Sequence, residues 1–122
     1  MVIGFKKQFV PKILDGSKKH TIREDATNRW KEGRVMDMAT GVRTKQYNKF
    51  TEQICTGIQT ILIIRVSDEL NQTIVNVDGR ELSLDEIQQL AWNDGFENLI
   101  DFWLWFKDGF DGKILHWTDL RY

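Results

Sequence analysis

The sequence predicts an α+β domain whose mixed or antiparallel sheet curls toward a barrel, with helices at its flanks. Three observations lead there. Short runs rich in Val, Ile and Thr alternate with Gly-containing turns. Helical spacing is confined to one short segment near the N-terminus and one longer stretch near the C-terminus. That longer stretch holds two helices in succession, so it does not supply the crossovers that a parallel βαβ sheet needs. A chain of 122 residues, 41% of them apolar, buries about two thirds of its unfolded surface, enough for one core spanning residues 1–122 as a single domain.

The elements follow in order. Phe9 to Gly16 reads as a short helix with Pro11 in its first turn and Gly16 just past its end, the places where each residue costs least. From Lys19 the chain alternates, and a strand to Arg23 sets Lys19, Thr21 and Arg23 on one face and His20 and Ile22 on the other. Glu32-Gly33 punctuates before a second strand, Arg34 to Thr40. Gly41 to Phe50 has no sustained period and reads as a mobile basic loop. Glu52 to Val66 forms one long bent strand or two, with Gly57 marking a bulge. Ile74 to Leu82 is a hairpin turning at Asp78-Gly79, since Asp-Gly accepts the positive φ of a tight turn. Ser83 and Glu86 form a capping box opening a helix through about Trp92, which Asp94-Gly95 ends. A further helix runs from about Asn98 to Lys107, and Lys113 to Thr118 returns to strand.

Composition excludes several classes. Uninterrupted apolar runs such as Ile61 to Ile64 fall far short of the roughly 20 residues of a membrane helix. The N-terminus lacks the tripartite pattern of a signal peptide, so a cytoplasmic protein is expected. One cysteine, Cys55, makes no internal disulfide and reads as a small buried hydrophobe; with only His20 and His116 beside it, no Cys/His zinc cluster is expected. No metal or cofactor is called for.

The formal net charge of -1 hides an asymmetry. Residues 1–49 carry 12 Lys and Arg against 5 Asp and Glu, and residues 50–122 carry 5 against 13. A local positive field of that size brings phosphates to one face, although a merely solvated basic surface gives the same count.

Ile13-Leu14-Asp15-Gly16-Ser17-Lys18-Lys19-His20-Thr21-Ile22-Arg23 resembles, without gaps, the G-x-K-x-x-T-x-R signature of the ASCH family, named for activating signal cointegrator homology. Ala91 to Phe96 followed by Phe102-Trp103, and Ile114 to Asp119, resemble the same family in the same order. The resemblance implies a PUA-like β-barrel with flanking helices and a partner that is RNA or a modified nucleoside. Within the family, the chain is similar to small bacterial amidohydrolases that remove the acetyl group of N4-acetylcytidine with a Lys, a Thr and a Glu. Carried over by position, these are Lys18, Thr21 and Asp94, the last one methylene shorter than the Glu it replaces.

Amide hydrolysis needs a nucleophile, a base for its proton and donors for the oxyanion. The resemblance makes Thr21 the nucleophile or the hydroxyl that orients one, Lys18 the general base or oxyanion partner, and Asp94 the group that positions Lys18 or protonates the leaving amine. Burial or neighbouring positive charge would be needed to bring the Lys18 amine toward neutrality. On alternation alone Lys19, not Lys18, shares the face of Thr21, so Lys18 must sit in the turn after Gly16 and swing back. On spacing alone Gly16 is a helix stop, Lys18 a solvated lysine and Thr21 an ordinary strand residue.

Substrate contacts are expected from Lys19, Arg23, Arg43 and Lys45 on phosphates and from Trp30 as a stacking surface for a base. Arg23 also reads as a strand-edge ion pair. Trp92, Trp103 and Trp105 read as core, and His116 as a strand histidine satisfied by a backbone carbonyl rather than an acid/base group. The competing functions are a non-catalytic RNA-binding module and a metal-independent ribonuclease at the same basic cleft.

Overall fold

The computed structural model describes residues 1–66 and 73–122. Its strands are β1 (Val2–Gly4), β2 (His20–Arg23), β3 (Val35–Thr40), β4 (Asn48–Ile54), β5 (Gly57–Arg65), β6 (Thr73–Val77), β7 (Arg80–Glu81) and β8 (Phe110–His116). Its helices are α1 (Val10–Leu14), entered through a 3-10 turn at Lys7–Phe9, α2 (Leu84–Asn93) and α3 (Leu99–Trp105). The α+β class is as expected.

The strands form two sheets, ordered β1-β3-β4 and β2-β8-β5-β6-β7, and among the described residues their edges do not join into a closed ring. All neighbours are antiparallel except β1, which runs parallel to β3. Of the two forms expected for Glu52 to Val66, one bent strand or two, the chain takes the second, with the strands in different sheets. Cys55 still belongs to the first ladder, its N–H donating to Arg34 O and its carbonyl accepting from Gly33 N, whereas Thr56 N already donates to His116 O in the second. Gly57 is no bulge. It opens β5 where any Cβ would strike the Arg121 guanidinium, whose Nη2 donates to Thr56 O at 2.7 Å.

Local chemistry explains the helices. Ser83 accepts from Glu86 N while the Glu86 carboxylate accepts from Ser83 N, completing the capping box at the start of α2. Asn98 caps α3 by accepting from Asp101 N at 2.8 Å. Asp78 and Gly79 both take positive φ, the geometry of a tight hairpin turn.

A single cluster of buried apolar side chains joins both sheets to the helices, with Met36 and Met38 from β3, Ile61 and Ile63 from β5, Leu90 from α2 and Phe102 from α3. Trp103 is buried as expected, but Trp92 and Trp105 are 53% and 45% exposed. For Trp105 the reason is geometric. A two-turn helix has one inward stripe, and Leu99–Trp105 fills it with Phe102 and Trp103, leaving Ile100, Leu104 and Trp105 outside. Cys55 is buried, its thiol pushed up by burial. No helix of the described residues is long and apolar enough to cross a membrane.

The basic loop after β3, expected as an aperiodic excursion to Phe50, is built of turns and ends at Asn48. Thr44 N and Oγ1 both donate to Gly41 O, Gln46 N donates to Thr44 Oγ1 at 3.1 Å and Tyr47 N donates to Thr44 O, so the segment is a run of bonded turns that passes into β4 at Asn48.

Candidate active site

Two helix ends meet at the site. Gly16, at positive φ, reverses the chain after α1, and Lys18 N then donates to Lys12 O at 2.9 Å. Lys19 N donates to Asn93 O, tying the start of β2 to the end of α2. Asp94 is the C-cap of α2, and Gly95 after it takes a positive φ. From α1, Lys12 Nζ donates to Gly95 O at 2.7 Å and clamps this turn. A Cβ on Gly95 would lie 2.9 Å from the Phe9 ring and 3.0 Å from Cδ of Lys18. The lysine stem therefore runs across the glycine, which turns Lys18 back toward Asp94.

Lys18 is 2% exposed. Its Nζ donates to the backbone carbonyl of Asp94 and lies 3.3 Å from Asp94 Oδ1, while the Phe9 ring centroid is 4.9 Å away. Burial pulls the Lys18 amine down to about 8, with Asp94 opposing and Arg23 assisting. Thr21 is buried, and its Oγ1 accepts from Arg23 Nε at 3.1 Å; among the described residues its hydroxyl proton has no acceptor. Arg23 Nη2 also donates to Gly4 O at 2.6 Å, and its guanidinium lies 4.8 Å from the Phe5 ring centroid. It is a positioned guanidinium, not a strand-edge ion pair.

Lys18, Thr21, Arg23 and Asp94 all line one cavity of about 370 Å³. Its other walls are largely aromatic, from Phe5, Phe9, Phe96, Trp105 and Phe106. Phe9, Phe96 and Trp105 meet edge to face with centroids 5.6 to 5.8 Å apart, which fixes the wall. An amine, a hydroxyl and a carboxylate thus face a space lined by flat apolar rings. That is the composition of a pocket for a planar heterocycle with a polar group at its floor.

No protein-family model, curated protein or solved structure matches the chain.

Behind Asp94 lies a polar chain that strand alternation does not reveal. His20 is fully buried, with Nδ1 3.1 Å from Asp94 Oδ1 and Nε2 2.6 Å from the Tyr122 hydroxyl. Asn93 Nδ2 donates to that hydroxyl at 3.1 Å. The carboxylate accepts only, so Nδ1 carries the proton and Nε2 accepts from Tyr122. Burial holds the His20 ring neutral by lowering its basicity, and burial raises the Tyr122 phenol far above its ordinary range. Gln59 secures the tyrosine by bonding both its backbone N and its O. His116 donates from Nε2 to Gln59 Oε1 at 2.9 Å, a side-chain amide rather than a backbone carbonyl, and it does not reach the cavity.

The expected substrate contacts divide. Arg23 is in the cavity, and Arg43 lies in an adjoining groove with Arg29 and Tyr47. Lys19 is half-buried and Lys45 exposed, and neither lines the cavity or the groove. Trp30 requires a correction. It is 5% exposed within the core, with the Arg29 guanidinium 5.6 Å from its ring centroid, so no base can stack on it. The exposed indole at the site is Trp105, with Lys6 Nζ 4.8 Å from its centroid. Among the described residues no three His, Cys, Asp or Glu side chains are grouped to hold a metal ion.

Proposed function

We propose that the chain is an ASCH-type amidohydrolase of PUA-like descent that removes the acyl group from an N4-acylated cytidine. The observation that carries this reading is the buried Lys18–Asp94 pair in an aromatic cavity that is also lined by Thr21, whose hydroxyl proton has no acceptor among the described residues.

The residues divide the chemistry among them. The aromatic walls hold the pyrimidine ring, and the acyl carbonyl points to the floor. Neutral Lys18 takes the Thr21 proton as Oγ1 attacks the acyl carbon. The donor from Arg23 Nε to Oγ1 stabilises the developing alkoxide. The C–N bond to the exocyclic nitrogen then breaks, that nitrogen takes the proton from the Lys18 ammonium, and the free amine leaves. Water, deprotonated by the same lysine, cleaves the Thr21 ester to release the carboxylic acid and restore the hydroxyl. Asp94 holds the Lys18 amine in the cavity through both half-reactions.

Incubation with N4-acetylcytidine at pH 9 tests the reading, with cytidine and acetate expected in equal amounts. Unchanged N4-acetylcytidine after prolonged incubation would remove the hydrolase. If the protein instead retained RNA without altering it, the site would belong to a binding module, and shortened RNA would make it a ribonuclease.

A further inference from the structure

Beside the cavity lies a groove of about 570 Å³ that shares Gly4, Arg23 and Val42 with it, so the two are continuous across the Arg23 side chain. Arg23, Arg29 and Arg43 line this groove, and Glu24 is its single carboxylate. Among the described residues none of the three guanidiniums is ion-paired. Arg23 has Nε and Nη2 engaged by Thr21 and Gly4, which leaves Nη1 for a ligand. The Arg29 guanidinium is laid over buried Trp30, while its backbone N–H is anchored on Asp25 Oδ1 at 2.9 Å.

Arg43 is held at φ 64, a left-handed conformation that a long side chain seldom adopts. The bonded turns from Gly41 to Tyr47 enforce it, and they close on a glycine whose Cβ would lie 2.5 Å from Gln46 O. Backbone strain retained in a fixed turn, at the residue that brings a third unpaired guanidinium to the groove, is the pattern of a binding feature. Planar guanidinium forks recognise phosphate oxygens.

We propose that this groove is a phosphate subsite, so that the ligand of the cavity is a phosphorylated pyrimidine nucleoside rather than a free one. The proposal rests on the reading of the cavity as a nucleobase pocket. With the base among the aromatic rings, the sugar crosses Arg23 and its phosphate meets Arg29 and Arg43. The half-exposed Tyr47 ring at the rim offers a face to a following base where the phosphate belongs to a strand.

Calorimetric titration at low salt with cytidine, cytidine 5′-monophosphate and the trinucleotide UpCpU tests this. The monophosphate is expected to bind about tenfold more tightly than cytidine. Arg29→Gln and Arg43→Gln should each remove most of that advantage, leaving cytidine affinity and thermal unfolding unchanged. Added salt should shrink the advantage. A trinucleotide tighter than the monophosphate assigns the phosphate to a strand, and equal affinity assigns it to a free nucleotide. Cytidine binding as tightly as its monophosphate overturns the subsite and leaves the nucleobase pocket standing. An advantage that survives in the double variant overturns the groove as its location, and no binding by any of the three probes overturns both readings.

Discussion

His20 Nδ1 and Lys18 Nζ reach the same oxygen, Asp94 Oδ1, at 3.1 Å and 3.3 Å. The carboxylate is therefore fixed from two sides, and the second side leads through the Tyr122 hydroxyl to Asn93. One methylene shorter than the Glu of the proteins that the motif resembles, Asp94 has less reach, and the imidazole behind it supplies the anchor that length would otherwise provide.

Replacing His20 by Ala should thus affect folding and turnover together. Asp94 loses one donor and the Tyr122 hydroxyl loses its acceptor, and a buried polar group left unsatisfied costs about 1–3 kcal/mol. Urea denaturation measures that loss. Turnover of N4-acetylcytidine should drop about a hundredfold, the scale of a small misplacement in a catalytic group.

The Lys18 amine titrates at about 8 in the folded chain and at an ordinary lysine value when unfolded. In the proposed mechanism the base form is the active one, so turnover should rise with pH through about 8 and level above it. Between about 8 and the ordinary lysine range the unfolded chain binds a proton that the folded chain does not, so stability contributed by this group rises with pH there. In Lys18→Met both the activity limb and this part of the stability slope should be absent, as read by pH-rate profiles and by urea midpoints across the same range.

Acid acts on the histidines in the complementary sense. Burial lowers His20 and takes His116 down to about 3, so below the ordinary histidine range the unfolded chain takes up protons that the folded chain refuses. Their contribution to stability falls as pH drops from about 6.5 toward 3. His116→Gln should flatten part of that decline, measured by urea midpoints between pH 7 and pH 4.

Gly95→Ala should damage the site through the backbone. The position has φ +98, and the added Cβ meets the Phe9 ring and the Lys18 stem. A loss of about 1–3 kcal/mol is expected from the conformation alone. The clash should also displace Lys18, lowering turnover beyond what reduced folding explains. Ser83→Ala serves as the comparison: losing the α2 cap should cost about 1 kcal/mol while turnover per folded molecule stays the same.

What the sequence revealed was mostly local. Ser83 and Glu86 announce α2 because a capping box is a contact between residues three apart, and Asp78-Gly79 announces its hairpin for the same reason. Only the motif points to Lys18, since strand alternation points to Lys19; the decisive contact, Lys18 with Asp94, spans 76 residues. Alternation sets His20 on the face away from Thr21, and nothing near it in the chain indicates Tyr122, 102 residues on. The tryptophans misled in both directions. Polar neighbours made Trp30 look exposed although it packs into the core, and apolar neighbours made Trp105 look buried although it lies on the outer side of a two-turn helix. The positive φ of Arg43 follows from turns closing around Gly41, which residue preferences alone do not specify.

The central claim is that the Lys18 amine and the Thr21 hydroxyl act as one unit on an amide held in the aromatic cavity. Cytidine release from N4-acetylcytidine by the wild-type chain, Lys18→Met and Thr21→Val, at pH 9 and with folding verified for each, tests it most directly. The account predicts release by the wild type and a loss of at least about a thousandfold in each variant, with the double variant no worse than either single one. Wild-type rates in Lys18→Met or in Thr21→Val would contradict it.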